Sequence, residues 1–496
     1  MLASLRRASM PSPRREHTLG IDEGTTGVRA VVLHASGAVA GHAYVEIGQK
    51  FPAPGWLEQD AAEIWAATRE VARRALAAAK LAPGDLGAIG VTNQRGSAVL
   101  FRQGREPAPL GPVIGWQDQR TIPRCAELMQ AGIFATPLAA ATKLEWLVKQ
   151  QREPSSRREL RCATIDAWLA SCLTAGGAHA SDHSNASCSG LYDLVGGTYD
   201  ERTIEAVGLD PSWLPSLVDS SAIVGETTTG TFGARVPVAS LSGDQHAAMY
   251  AQGIHASGGV KLSLGTSAMM DAHSGPVLTA PPVGAYPLVL WSLGGARSFC
   301  FEGTTVTAGA AVQWSRDVLG LVPEAAAIEA LARSAGSAAG VWVVPAFQGL
   351  GTPHLDARAR ATIGGLSRGS TRAHLAYAFL EGIAWRCREV FDALADALPA
   401  RPTALRVDGG ASANGLLLEL LAGALGIPVE RPAELESAAV GAARLAGRAI
   451  GLWSDEEVAA GWKLGARFEP RRSADERAEG FATWQRRVAL VREAGS

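Results

Sequence analysis

The chain has 496 residues, 47% hydrophobic and 19% charged, which excludes wholesale disorder and implies more than one core. Its 46 basic and 48 acidic residues leave a formal charge of −2, so no global field draws it to nucleic acid or an anionic membrane, and any phosphate must be held locally. The 56 glycines point to many tight turns or close backbone approaches.

Residues 1–16 carry Arg6, Arg7, Arg14 and Arg15 with no acid before Glu16. They lack the amphipathic stripe of a transit peptide and read as a disordered extension, or as sequence preceding a start at Met10. Next, Thr18-Leu19-Gly20-Ile21-Asp22-Glu23-Gly24-Thr25-Thr26-Gly27-Val28-Arg29-Ala30-Val31-Val32-Leu33 is an apolar run, a tight turn and a β-branched run. That is a β-hairpin whose turn exposes N–H groups and hydroxyls. Apolar residues at helical spacing over 61–80 precede a strand at 86–91. An amphipathic helix begins at Lys143 and is ended by Pro154. The hairpin pattern recurs at Gly259-Val260-Lys261-Leu262-Ser263-Leu264-Gly265-Thr266-Ser267-Ala268-Met269-Met270, which suggests two similar α/β domains. A long helix over 374–398, a strand at 404–407, a turn at Asp408-Gly409-Gly410 and a helix from Asn414 follow. The alternation predicts mostly parallel sheets flanked by helices, with a domain boundary near 250–259.

The cysteines, Cys125, Cys162, Cys172, Cys188, Cys300 and Cys387, form no Cys-x-x-Cys pair. Reduced, buried thiols of a cytoplasmic protein are expected rather than a disulfide framework or zinc site. No apolar run approaches the roughly 18 residues of a membrane span.

Three places can carry chemistry. Asp22, at a strand end beside the turn, can hold a hydrated Mg²⁺ next to phosphates contacted by Thr25, Thr26 and Arg29; an ordinary hairpin with an exposed acid would look the same. Asp244, after the apolar strand that ends Ser242-Gly243, can take the proton of a substrate hydroxyl in phosphoryl transfer, or can simply cap the next helix. The glycines of Asp408-Gly409-Gly410 can admit a flat ligand, with Asn414 hydrogen-bonding an adenine edge or capping its helix. Trp116 and Arg95, set among polar residues, suit a sugar or polyol; a tryptophan there can equally be packing.

Taken in order, several segments resemble the FGGY carbohydrate kinases, and within them most strongly the glycerol kinases. They are Asp22-Glu23-Gly24-Thr25-Thr26, Pro54-Gly55-Trp56-Leu57-Glu58, Thr92-Asn93-Gln94-Arg95, Trp116-Gln117-Asp118-Gln119-Arg120-Thr121, Asn185-Ala186-Ser187, Gly243-Asp244-Gln245, Ala308-Gly309-Ala310-Ala311-Val312-Gln313-Trp314, Val344-Pro345-Ala346-Phe347-Gln348-Gly349-Leu350-Gly351, Gly364-Gly365-Leu366-Ser367-Arg368-Gly369 and Val407-Asp408-Gly409-Gly410-Ala411. The likeness runs from residue 17 to beyond 447. It implies an α/β fold of two ribonuclease-H-like domains of the actin and hexokinase type, with a cleft closing over ATP and an alcohol. Residues 17–252 would carry the acceptor site, phosphate loop and base, and residues 253–496 the nucleotide site. The resemblance makes Asp244 the general base and gives Asp22 the Mg²⁺, through water. Thr25, Thr26, Gly27, Arg29 and Thr266 would meet phosphates, and Gly309, Gln313, Gly410 and Asn414 the nucleoside. A homodimer or homotetramer is expected, with a small polyol or sugar as partner.

The acceptor pocket departs from that pattern. Arg95, Trp116, Asp244 and Gln245 are retained. Gly96 stands where the glycerol kinases carry a glutamate, Leu138 where they carry a tyrosine and Met269 where they carry a phenylalanine. Losing the acid and the phenol costs about 1–3 kcal/mol each, and the small Gly96 and flexible Met269 leave room for an acceptor larger than glycerol. A ketopentose kinase, and in a different class an actin-like ATPase or sugar sensor without turnover, are the alternatives. Glu23, where glutamine is usual, is expected to put extra negative charge near phosphate.

Overall fold

Two short glycine-bounded turns organise the chain. In the computed structural model, which describes residues 15–151 and 157–495, β1 (His17–Gly24) turns through Thr25 and Thr26 into the antiparallel β2 (Gly27–His34). Strand β3 (Val39–Glu46) pairs with β2. Helix α1 (Ala61–Ala79) starts where Asp60 accepts the N–H of Ala62 at 2.8 Å and stops where Lys80 turns left-handed at φ 59°. Strand β4 (Leu86–Asn93) lies parallel to β1 and sets Thr92 beside Asp22. Helices α2 (Ala141–Lys149) and α3 (Ile165–Leu173) follow, then β5 (Gly225–Glu226) and β6 (Pro237–Gly243). The sheet order is β5–β6–β4–β1–β2–β3. Its core packs Leu19, Ile21 and Val32 with Ile64, Val71 and Trp168.

The second sheet begins after α4 (Asp244–Ala251). Strands β7 (Val260–Leu264) and β8 (Ala268–Gly275) make the second hairpin, followed by β9 (Tyr286–Leu293) and β10 (Ala296–Thr305). Helices α5 (Gly309–Asp317) and α6 (Arg372–Ala395) precede β11 (Leu405–Asp408), α7 (Gly415–Leu425), β12 (Val429–Pro432) and β13 (Leu464–Phe468). The order is β9–β10–β8–β7–β11–β12–β13. Its core joins Leu262 and Met270 to Phe379, Ile383 and Leu421.

The internal repeat extends to strand order. Strands β3–β2–β1–β4–β6 match β10–β8–β7–β11–β12, and the first strand of each hairpin has a parallel neighbour on its other side. Both sheets are mixed rather than mostly parallel, because the short turns return the chain antiparallel.

The chain divides into two compact units. One holds the chain up to Ser181 with Val207–Leu241 and Ala442–Ser454; the other holds Asp182–Ala206, Ser242–Gly441 and Asp455–Ser496. Of the expected extension, residues 1–14 lie outside the described residues, as does Pro154. Arg15 and Glu16 are held on the first sheet: Arg15 Nη1 donates to Leu86 O at 3.2 Å, and Glu16 O accepts from Ala35 N at 2.7 Å.

None of the six cysteines forms a disulfide; five are buried and Cys188 is half-buried. Burial pushes the Cys162 and Cys387 thiols up to about 12 and raises that of Cys172. Among the described residues no helix is long and apolar enough to cross a membrane.

Candidate active site

In the first unit, Asp22 sits half-buried in register with Arg29 and Thr92. Side chains from four other segments fix the turn beside it. The carbonyl oxygen of Thr25 accepts from Gln49 Nε2 at 2.7 Å and Gln59 Nε2 at 3.0 Å, and its hydroxyl accepts from Trp116 Nε1 at 3.0 Å. Tyr44 Oη donates to Thr26 O at 3.1 Å, and the Arg29 guanidinium lies 5.1 Å from the centre of the Tyr44 ring. Thr26 is exposed, and Thr25 and Arg29 are half-buried.

Glu23, one residue on, faces the opposite side of the strand. It is buried, and its carboxylate accepts from Gln94 Nε2 at 3.0 Å; the same amide also donates to Gln59 Oε1 at 2.9 Å. The extra charge expected near phosphate is instead a buried, hydrogen-bonded carboxylate behind the hairpin.

Of the acceptor residues, this unit carries Arg95, Gly96, Trp116 and Leu138. Arg95 and Trp116 are half-buried and Leu138 is 43% exposed. Gly96 has φ +73°, and a Cβ there would overlap the carbonyl oxygen of Leu138. Gly96 therefore opens no room at this point, since backbone already fills it. The carbonyl oxygens of Gly96, Trp116 and Leu138 all accept hydrogen bonds from Lys143 Nζ, at 2.9, 3.2 and 3.4 Å.

Behind them, Arg120 donates to Asp118 through Nε (2.9 Å) and Nη2 (2.8 Å) and pairs with Glu58 at 3.0 Å. Its guanidinium lies 3.8 Å from the ring centre of Trp56 and 4.6 Å from that of Trp146. Two motifs distant in sequence thus meet in one buried cluster. Trp116→Phe removes the indole N–H and shortens the ring. The lost hydrogen bond to Thr25 alone costs about 1 kcal/mol, roughly fivefold, and we expect KM for both acceptor and ATP to rise by at least that order, measured by initial rates.

Strand β6 leads directly into α4, with which the second unit resumes at Ser242. Gly243 is the N-cap and Asp244 the first helical residue, half-buried, its Oδ1 accepting from Gln245 N at 2.7 Å. The N-cap position itself is taken by Gly243, while Asp244 accepts a first-turn N–H from within the helix. Lys261 Nζ donates to Gln245 Oε1 at 2.6 Å and Ser263 Oγ at 2.9 Å. Ser263 in turn donates to Asp408, which also accepts from Gln252 Nε2 at 2.7 Å. A polar chain thus runs from Gln245 to the Asp408-Gly409-Gly410 turn. Met269, half-buried, is the register partner of Ser263.

The nucleotide candidates gather at the ends of the parallel pair β7 and β11. Gly309 N donates to Gly265 O and Ala310 N to Thr266 O, both at 3.0 Å, which seats α5 on the hairpin turn. Gln313, one helical turn beyond Gly309, is exposed, as are Thr266 and Gly410. Gly409 is glycine for an internal reason: it has φ +83°, and a Cβ would lie 2.6 Å from Leu264 O. Around Gly410 a Cβ would meet nothing within 4 Å, so this face of the turn is open. Asn414 caps α7, its Oδ1 accepting from Leu417 N at 2.9 Å, which leaves Nδ2 outside the cap.

His246, Asp271 and Cys300 bring ligand-type atoms within 4.8 Å of one another. Lys261 Nζ lies 3.6 Å from the Asp271 carboxylate and already supplies positive charge to this buried cluster.

Sequence reasoning missed Lys143, Lys261 and the Glu23–Gln94–Gln59 network. A buried lysine carries no sequence signal, since lysine is by default a surface residue.

The sequence profile of the FGGY family of carbohydrate kinases, N-terminal domain, matches residues 17–251, and that of the C-terminal domain residues 260–450. The chain belongs to the FGGY family of carbohydrate kinases. It is 38% identical to a glycerol kinase of Deinococcus radiodurans over 96% of this chain and 98% of that one. It is 41% identical to a glycerol kinase of Trichlorobacter lovleyi over 95% and 97%. A Plasmodium falciparum glycerol kinase crystallised with ADP shares the fold at TM-score 0.87 and 24% identity, over 96% of this chain and 98% of that one. A Rhodospirillum rubrum xylulose kinase does so at 0.80 and 26%, over 96% and 98%. As a member of this family the chain is a carbohydrate or polyol kinase.

Proposed function

We propose that this FGGY kinase transfers the γ-phosphoryl group of ATP to a hydroxyl of glycerol or a closely related polyol. The observation that carries the reading is Asp244: it is the first residue of α4 after the N-cap Gly243, half-buried at the end of the first sheet's β6. The nearly end-to-end likeness to glycerol kinases supports the substrate class.

The acceptor oxygen attacks the γ-phosphorus as the bond to the β–γ bridging oxygen breaks and ADP leaves. The hydroxyl proton passes to the Asp244 carboxylate. Thr25, Thr26, Gly27, Arg29 and Thr266 offer donors to phosphate; Gly309, Gln313, Gly410 and Asn414 take the nucleoside. Arg95, Trp116 and Gln245 orient the acceptor, with Gly96, Leu138 and Met269 forming its less polar wall. The half-buried Asp22, an oxygen donor at the hairpin root, fits a hard divalent cation held through water, and Trp116, Gln49 and Gln59 fix the turn beside it. A bound Mg²⁺ would supply charge neutralisation to the phosphates.

The second reading, a ketopentose kinase, is favoured by the missing acid and phenol at Gly96 and Leu138. A coupled ADP-release assay over three- to six-carbon polyols and ketoses decides between them. We expect glycerol or another three- to four-carbon polyol to give the highest kcat/KM. Turnover of ketopentoses alone establishes the second reading, and ATP hydrolysis with no acceptor phosphorylated overturns both.

A further inference from the structure

The acceptor residues of the first unit sit on three separate stretches of chain, and one side chain reaches all three. Lys143, on α2, is wholly buried. Its ammonium has three protons to donate, and it finds three carbonyl oxygens: Gly96 at 2.9 Å, Trp116 at 3.2 Å and Leu138 at 3.4 Å.

Burying a lysine is costly. Desolvation lowers its pKa to about 7, with Asp118 and then Cys125 pulling it back up and Arg120 pushing further down. Helix α2 has apolar anchors of its own in Leu144 and Leu147, so fastening the helix to the core does not require a charge. What an ammonium does that an apolar side chain cannot is set three backbone carbonyls at fixed distances around one point. Trp116 also donates its indole N–H to Thr25, so the placement reaches the phosphate hairpin.

We propose that Lys143 is the positioning residue of the acceptor site, a single tie that sets the mutual placement of Gly96, Trp116 and Leu138. This rests on the reading of those residues as the acceptor wall, and the test has one arm that needs no acceptor.

The first arm is kinetic. For Lys143→Met we expect acceptor KM to rise about 10–100-fold, the loss of a charge-assisted hydrogen-bonding centre. The kcat should change less than roughly threefold, and ATP KM should rise far less than acceptor KM and no more than the roughly fivefold expected for loss of the Trp116–Thr25 bond. Lys143→Gln, which keeps N–H donors, should recover part of the loss. The second arm is amide hydrogen exchange of the free protein by mass spectrometry. Lys143→Met should speed exchange in residues 94–98, 114–118 and 136–140 together and leave α6 and the second sheet unchanged.

Unchanged exchange in the three segments overturns the proposal, as does a loss confined to kcat or melting temperature. Failure of both variants to fold also overturns it, since the lysine is then a structural tie alone. If the wild-type protein phosphorylates nothing in the panel, the functional reading fails while the exchange arm still decides the role of Lys143.

Discussion

Asp244→Asn lowers acceptor-dependent ADP formation by about 10²–10⁴-fold, the usual contribution of a positioned general base. The amide keeps the size of the carboxylate and cannot take the hydroxyl proton. Because Asp244 lies in the first turn of α4 after the Gly243 cap, its negative charge also favours the helix N-terminus, which is worth about 0.3–1 kcal/mol. A small fall in melting temperature is therefore expected beside a large fall in kcat, with ATP KM little changed. The two effects separate in one experiment: thermal unfolding reads the dipole, and initial rates read the base. A variant within tenfold of wild-type kcat would remove Asp244 from the chemistry.

Restoring the glutamate that the glycerol kinases carry does the reverse of what a pocket argument suggests. Gly96→Glu is expected to destabilise the protein by about 2–5 kcal/mol and to weaken, not improve, acceptor binding. The backbone at Gly96 is left-handed, and the space a Cβ needs is taken by the Leu138 carbonyl oxygen. That carbonyl shares the Lys143 ammonium with the carbonyl of Gly96 itself, so it cannot retreat without loosening the tie. Denaturant unfolding measures the first effect and the acceptor KM the second. A stable Gly96→Glu protein with improved glycerol kcat/KM would show that this backbone rearranges freely.

Much of the fold was legible because its punctuation is local. The Gly-Thr-Thr and Gly-Thr-Ser turns, the helix over 61–80 and the Asp408-Gly409-Gly410 turn depend on residues near one another in sequence, and each element lies within a few residues of its expected place. Asp244 and Asn414 show where that legibility divides. Both stand at helix starts after a strand, and only geometry reveals that Asn414 is the cap whereas Gly243, not Asp244, is the other. Gly96 was visible as a missing acid, but its φ and its collision with a carbonyl 42 residues onward depend on packing between segments. Lys143 was read only as the start of a helix, because nothing near it in sequence announces three carbonyls from elsewhere. The parallel sheets were over-predicted because strand–helix alternation says nothing about strands that follow each other through a turn of two or three residues.

The distribution of thiols has a practical consequence. Five of the six cysteines are buried and Cys188 alone is half-buried, while burial holds Cys162 and Cys387 near 12 as unreactive thiols. A maleimide dye added to the native protein should therefore attach at one known residue, on the short helix His183–Cys188, next to the Asn185-Ala186-Ser187 motif. The wild-type chain arrives with a built-in reporter position, and Cys188→Ser is the blank against which its signal is read.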